Sequence, residues 1–418
     1  MSRTSLDFVL RRGCVHGCGH AHPMDIGIRA DRIVEIAPSI VADAREIDLE
    51  GRLVCGGFVE THIHLDKACI LGRCGHSESL SHAISKVAAL KRDFTHQDIY
   101  NRGQQVLEKA LVHGTTLMRT HVEVDPRIGL RAFEAITQLK RDYAWAMDLE
   151  ICVFPQEGLL NDPGTDELLV EALERGADVI GGCPYTDTHS NGQIARIFDL
   201  AVRYDVDVDF HLDFDLNPAR MDIYEVCRQA ELHKWGGRVA VGHASKLSAA
   251  PPEILAQVTG RLIDAGVAVT VLPATDLFLM GQGQTHSVPR GVAPAHRLLK
   301  QGVTCSISTN NVMNPFTPFG DGSLVRMANL YANVQQVGQT EDIALCFDMI
   351  TTQSARLMNR KDYGIKVGGR ADLVVVDASS PGDAVAGIAT PLFGFKAGRE
   401  TFNRPPPVVS RPMANAAE

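Results

Sequence analysis

His62 and His64 stand one residue apart in Gly57 to Lys67, GFVETHIHLDK, where an apolar run ends. Residues two apart on a strand face the same way, so both imidazoles can reach one metal ion at the strand's C-terminal end. That is the chemistry of a metallohydrolase; two surface histidines on an ordinary strand are the plainer alternative. Later apolar runs also end in polar residues: His121, Gln156 with Glu157, His211 with Asp213 and Asp215, His243, and Asn310 with Asn311. His62, His64 and His211 could surround a divalent ion and leave positions open for water.

The elements that must position these residues alternate. β-Branched apolar runs occur at 52–62, 115–124, 148–156, 177–184, 206–213, 237–244, 267–275 and 303–311. Helical periods lie between most of them, among them 95–111, with Thr95 as N-cap, and 165–175, ending at Gly176. Eight such units predict an α/β fold, a (β/α)8 TIM barrel, over 58–359, with active-site residues at the C-terminal ends of its strands. Residues 1–57 and 360–404 are β-rich instead, and short strand pairs are marginal alone. The two chain ends are therefore expected to meet in one small β-sandwich domain. A loose tail, 405–418, is expected after it.

Composition narrows the function classes. A chain of 418 residues, 45% hydrophobic and 22% charged, can bury a large core, and its formal charge of -9 gives no basic footprint for nucleic acid. No apolar segment reaches bilayer-spanning length. Ten cysteines without small-domain disulfide spacing, and an N-terminus without a secretory apolar region, predict a reducing cytoplasm. The expected partner is a small molecule, and a homo-oligomer is expected. Cys14, Cys18, His20 and His22 supply four zinc-type ligands, but not at a standard finger spacing, so a hairpin connection is the expectation there.

Longer phrases carry a family resemblance: GFVETHIHLD, RTHVEVDP, VFPQEGLL, the PxxPxG pattern in NPFTPFGDG, and SARLMNRKDYGIKVGGRADLVVV. From about residue 6 to 400 the chain resembles the amidohydrolase superfamily, in particular the bacterial cytosine deaminases. The resemblance implies one zinc or iron ion held by His62, His64 and His211, with His243 orienting the attacking water. It also implies that Gln156 hydrogen-bonds the amide edge of a heterocycle. Two positions depart from the pattern. Asn310 stands where the family has a metal-binding aspartate, and a carboxamide offers only a weak oxygen ligand and no base. Phe214 replaces the proton-shuttling glutamate and can only wall or stack against a ligand. A register shift near Phe214 would promote Asp213 or Asp215 to the acid role. Tyr185 stands for a histidine, and Cys183, where other branches carry a bridging lysine, reads as a buried inert thiol.

The expected function is therefore metal-dependent cleavage of a C–N bond in a small nitrogen heterocycle or cyclic amide other than cytosine. Catalytic roles fall to His243 and Asn310, and substrate contacts to Gln156, Phe214 and Lys67, whose ammonium could sit at the barrel mouth. The competing reading is a non-hydrolytic homologue that binds a heterocycle or acts as a lyase or isomerase.

Overall fold

The structure is a computed structural model that describes residues 6–19, 22–405 and 407–410. His20 and most of the expected loose tail lie outside the described residues.

Eight parallel strands form the central sheet: Phe58–Ile63, Thr115–Glu123, Asp148–Phe154, Val179–Ile180, Asp207–Leu212, Val239–His243, Val267–Val271 and Cys305–Ile307. These are counted below as the first to the eighth barrel strand. A parallel bridge between Ile63 and Asn310 closes the sheet into a barrel. Helices cover the outside, as a parallel sheet buried on both faces requires. One of them, His96–Val112, begins at Thr95, whose side chain accepts from the Asp98 N–H, and buries Ile99, Val106, Leu107 and Leu111 against the barrel. Each such side chain contributes roughly 1.5–3 kcal/mol relative to exposure.

The run read as one strand at 52–62 is two. Leu53–Gly56 belongs to the sheet of the chain ends and Phe58–Ile63 to the barrel. Gly57 is the joint, and no side chain fits there because a Cβ would lie 2.1 Å from Thr116 Oγ1. The strand Phe8–Val15 pairs with Met24–Arg29 and, at its far end, with Leu53–Gly56, so it links both halves of the outer sheet. Phe8 stacks on Phe395 across those halves at 5.2 Å, and Leu10, Ile26, Val54 and Leu373 fill the core between them. Cys14, Cys18 and His22 lie around the connection between the first two of these strands, and the described residues form no ligand cluster there.

Three strand bounds are corrected. The run 267–275 was expected to be strand throughout, but the strand ends at Val271 and Pro273 opens the helix Pro273–Leu279. Proline has no N–H to give a sheet and suits the first turn of a helix. Strand expectations at 177–184 and 303–311 also shrink, to Val179–Ile180 and Cys305–Ile307.

Candidate active site

Alternation along the barrel strands stacks polar side chains in layers. The second strand points Arg119, His121 and Glu123 inward, and all three are buried. Arg119 lies at the floor, with Nη1 donating to Asp209 at 3.0 Å. His121 stacks on His62 at 3.7 Å between ring centres. Glu123, at the mouth, accepts from Lys67 Nζ at 2.6 Å and Lys91 Nζ at 2.7 Å.

The histidines of the first and fifth strands meet in the middle layer. His62 Nε2 is 3.1 Å from His211 Nε2, and His64 Nε2 is 3.0 Å from the same atom. One ring nitrogen cannot form a proper N–H···N bond with both neighbours, so a third party is needed to satisfy the trio. A metal ion about 2.1 Å from each nitrogen, with angles between about 90° and 109°, sets N···N separations of roughly 3.0–3.4 Å. The residues present therefore fit a metal ion. Nitrogens of His62, His121 and His211 also lie within 4.8 Å of one another. His121 Nε2, however, faces Asp209 at 3.5 Å, whereas His64 lines the cavity, so His64 has the better claim to the third position. Burial pushes the His62 pKa down to about 3 and those of His64 and His211 well below the usual imidazole range, leaving their lone pairs free for a cation.

Above these rings lies a narrow cavity, about 10 Å³ in volume, lined by Lys67, Gln156, Phe214, His243 and Asn310. His243 ends the sixth strand with φ of +68°, and Asn310 follows the eighth with φ of +64°. Both backbones sit in the left-handed region, which is costly for side chains other than glycine and collects at functional sites. His243 Nδ1 meets Asp276 Oδ1 at 2.6 Å, and Asp276 Oδ2 accepts from the Leu272 N–H at 3.1 Å. Phe214 stacks on the His243 ring at 3.6 Å, so it braces the histidine as well as walling the cavity. Asn310 Oδ1 is buried without a partner.

Lys67 is buried, contrary to the usual fate of a lysine just past a strand. Its loop is pinned by Arg102, which donates to the carbonyls of Asp66 and Ala68 at 2.9 and 2.7 Å. Nζ donates to Gln156 Oε1 at 3.0 Å as well as to Glu123, and lies 4.6 Å from the Phe316 ring centre. Behind it, Lys91 holds Glu123, Asp125 and Glu157 around one ammonium; burial and the Glu123 charge push Glu157 up to about 8.

Asp213 and Asp215, the stand-ins for the missing acid, do not reach the cavity. Asp213 accepts from the Asp222 and Ile223 N–H groups at 2.9 and 3.1 Å and so fixes the following helix. Asp215 accepts from the Asn217 N–H in an exposed turn. Cys183 is buried, with its thiol pushed up to about 12 by desolvation, as expected of an inert group. Asp276 is the residue that sequence reasoning missed. Its signal was Pro273, which marks a helix start and places an aspartate in the first turn.

Comparison with known proteins joins this geometry to a family. Residues 148–388 match the amidohydrolase family. The chain is 30% identical over 389 residues to N-isopropylammelide isopropyl amidohydrolase from Pseudomonas sp. (strain ADP), covering 90% of this chain and 92% of that one. The chain belongs to the amidohydrolase family. A liganded crystal structure of 5-methylcytosine deaminase from Klebsiella pneumoniae superposes with a TM-score of 0.90 at 27% identity, covering 97% of this chain and 99% of that chain. Pterin deaminase from Rhizobium rhizogenes is 25% identical over 362 residues, 85% of this chain and 82% of its own. As a member of the amidohydrolase family, this chain is a metal-dependent hydrolase of C–N bonds, and the binding-only alternative is not favoured. No described helix is long and apolar enough to cross a membrane.

Proposed function

We propose that this amidohydrolase removes ammonia or an amine from a small, non-cytosine nitrogen heterocycle, or opens a cyclic amide, in the cavity above His62, His64 and His211. The observation that carries this reading is the short convergence of the three Nε2 atoms directly beneath a histidine held by a buried aspartate. Those three histidines would hold one zinc or iron ion, with Asn310 Oδ1 as a weak fourth oxygen. Such an ion supplies Lewis acidity to the carbon under attack and to the water that attacks it.

The protein's own residues handle position and protons. Asp276 accepts the Nδ1 proton of His243, leaving Nε2 as the basic end toward the cavity. Nε2 takes a proton from the attacking water and passes it to the departing nitrogen, while Asp276 steadies the imidazolium in between. Gln156 and Lys67 hold the ring's polar edge, and Phe214 covers its face.

Metal analysis of protein purified without chelator, joined to a screen of triazines, pyrimidines, pterins and cyclic imides for ammonia or amine release, tests the reading. About one equivalent of zinc or iron and turnover of a member of the panel are expected; metal-free protein inert to every ring would overturn it. Metal affinity should also change little between pH 8 and pH 5. A His62 pKa of about 3 means that no proton has to leave that ring over this range, whereas an unperturbed imidazole near 6.5 would weaken binding about thirtyfold at pH 5. Competition with a chromophoric chelator at each pH measures this, and a steep loss of affinity below pH 6.5 would contradict the buried, neutral histidine set.

A further inference from the structure

At about 10 Å³, the cavity above the three convergent histidines has room for about one water molecule. Ligand pockets usually measure about 300–1,000 Å³, so a ring can enter only if a wall moves. Among the described residues, every one that lines the cavity is at most 4% exposed except Tyr185, which is half-buried. On the outer side of Tyr185 lies a second, open pocket of about 470 Å³, and Tyr185 is the residue common to both linings.

The backbone around Tyr185 is tied down. The residue sits in the single turn Pro184–Thr186, beyond the fourth barrel strand. Before it, the Cys183 N–H donates to Gln193 Oε1 at 2.7 Å; after it, the Asp187 carboxylate accepts from the Leu159 and Leu160 N–H groups at 2.7 and 2.8 Å. The far rim of the outer pocket is fixed as well, by Lys246 Nζ donating to the Arg220 carbonyl at 2.7 Å. Other aromatic walls of the cavity are braced from within, Phe214 by the His243 ring at 3.6 Å and Phe316 by Lys67 Nζ, 4.6 Å from its ring centre. What is left to move is the Tyr185 side chain, whose hydroxyl bonds to the Gln156 amide and to Cys183 on the cavity side. A change of rotamer breaks both bonds and swings the ring out of the way. Sulfur is a weak acceptor, so this latch is light.

We propose that the substrate enters from the outer pocket lined by Pro184, Asp187, His189, Arg220 and Lys246, and that Tyr185 is the door between that pocket and the reaction cavity. This rests on the hydrolase reading only in taking the cavity as the substrate's seat. Cys183, held by the Tyr185 hydroxyl and fully buried, reports whether the door is open. The full-length protein is alkylated with iodoacetamide or the bulkier N-ethylmaleimide, and the peptide carrying Cys183 is followed by mass spectrometry. Buried Cys152 and Cys305 in the same digest mark global unfolding. Tyr185→Phe keeps the ring but loses both bonds, so Cys183 should react roughly tenfold faster. Tyr185→Ala removes the ring too and should be faster still, with the larger gain for the bulkier reagent; a mere change in thiol reactivity would raise both alike. Asn191→Trp, filling the outer pocket from its rim, should slow the labelling. Cys183 rates that stay unchanged in Tyr185→Ala, rise only together with Cys152 and Cys305, or ignore Asn191→Trp overturn the proposal. The expected labelling with no ring cleaved would leave the door standing and sink the hydrolytic reading; turnover with labelling indifferent to Tyr185 would do the reverse.

Discussion

His243→Ala should lower kcat on the ring that the substrate screen identifies by about 10²- to 10⁴-fold, the usual worth of a positioned general base. Metal content should stay near that of the parent, because His243 is not among the three convergent nitrogens. Alanine keeps the Cβ that makes this left-handed backbone position costly, whereas His243→Gly would relieve that strain. Both variants leave the buried Asp276 carboxylate without its imidazole partner and should lose some stability, so a His243→Gly protein that still folds and binds metal, yet is inactive, separates chemistry from folding. Asp276→Asn should lower kcat with little change in KM, since it leaves the cavity wall in place and removes only the charge that steadies the imidazolium. Unchanged rates in both His243 variants would remove the histidine from the mechanism.

The second large effect concerns the metal. His62→Ala or His211→Ala should bring the metal bound after dialysis against a mild chelator close to zero, and activity should fall with it. Even loss of a residue that merely orients a ligand commonly costs 10- to 100-fold in affinity. A subtler variant keeps every ligand: a Cβ at Gly242 would stand 2.9 Å from His62 Cε1 and 3.0 Å from its Nδ1. Gly242→Ala should therefore displace the His62 ring and weaken metal binding, while His211→Ala removes a ligand outright. Elemental analysis and chelator titration read both. Full metal occupancy in His211→Ala would move the metal site elsewhere, with His121 as the nearest replacement.

How far the sequence foretold this arrangement depends on what kind of signal each residue leaves. His62, His64, His211 and His243 sit at the ends of apolar runs, and periodicity alone carries them to one mouth once the runs are counted as barrel strands. Lys67 is different. A lysine past a strand end is ordinarily solvated, and only the three-dimensional closeness of Glu123 and Gln156 reveals why this one is buried. Asp276 was obscured by extending an apolar run through Pro273, where the backbone had already turned into a helix. Asp213 lay near the site in sequence but is spent on two backbone N–H groups, a local bond that composition cannot disclose.

The way the barrel closes has a further consequence. Between the eighth and first strands the joining backbone bonds are Asn310 N–H to the His62 carbonyl at 2.9 Å and His64 N–H to the Asn310 carbonyl at 2.8 Å. Below them the strands are joined through hydroxyls, with Ser308 Oγ accepting from the Thr61 N–H and Thr61 Oγ1 meeting Ser306 Oγ. The seam beside two of the imidazoles is thus held by two backbone bonds, and Asn310 takes part in both. An ion gripped by residues on both sides of that gap would act as a rivet. Amide hydrogens of His64 and Asn310 then become reporters of whether the cylinder is latched, exchanging slowly when the ion is present and faster once it is stripped.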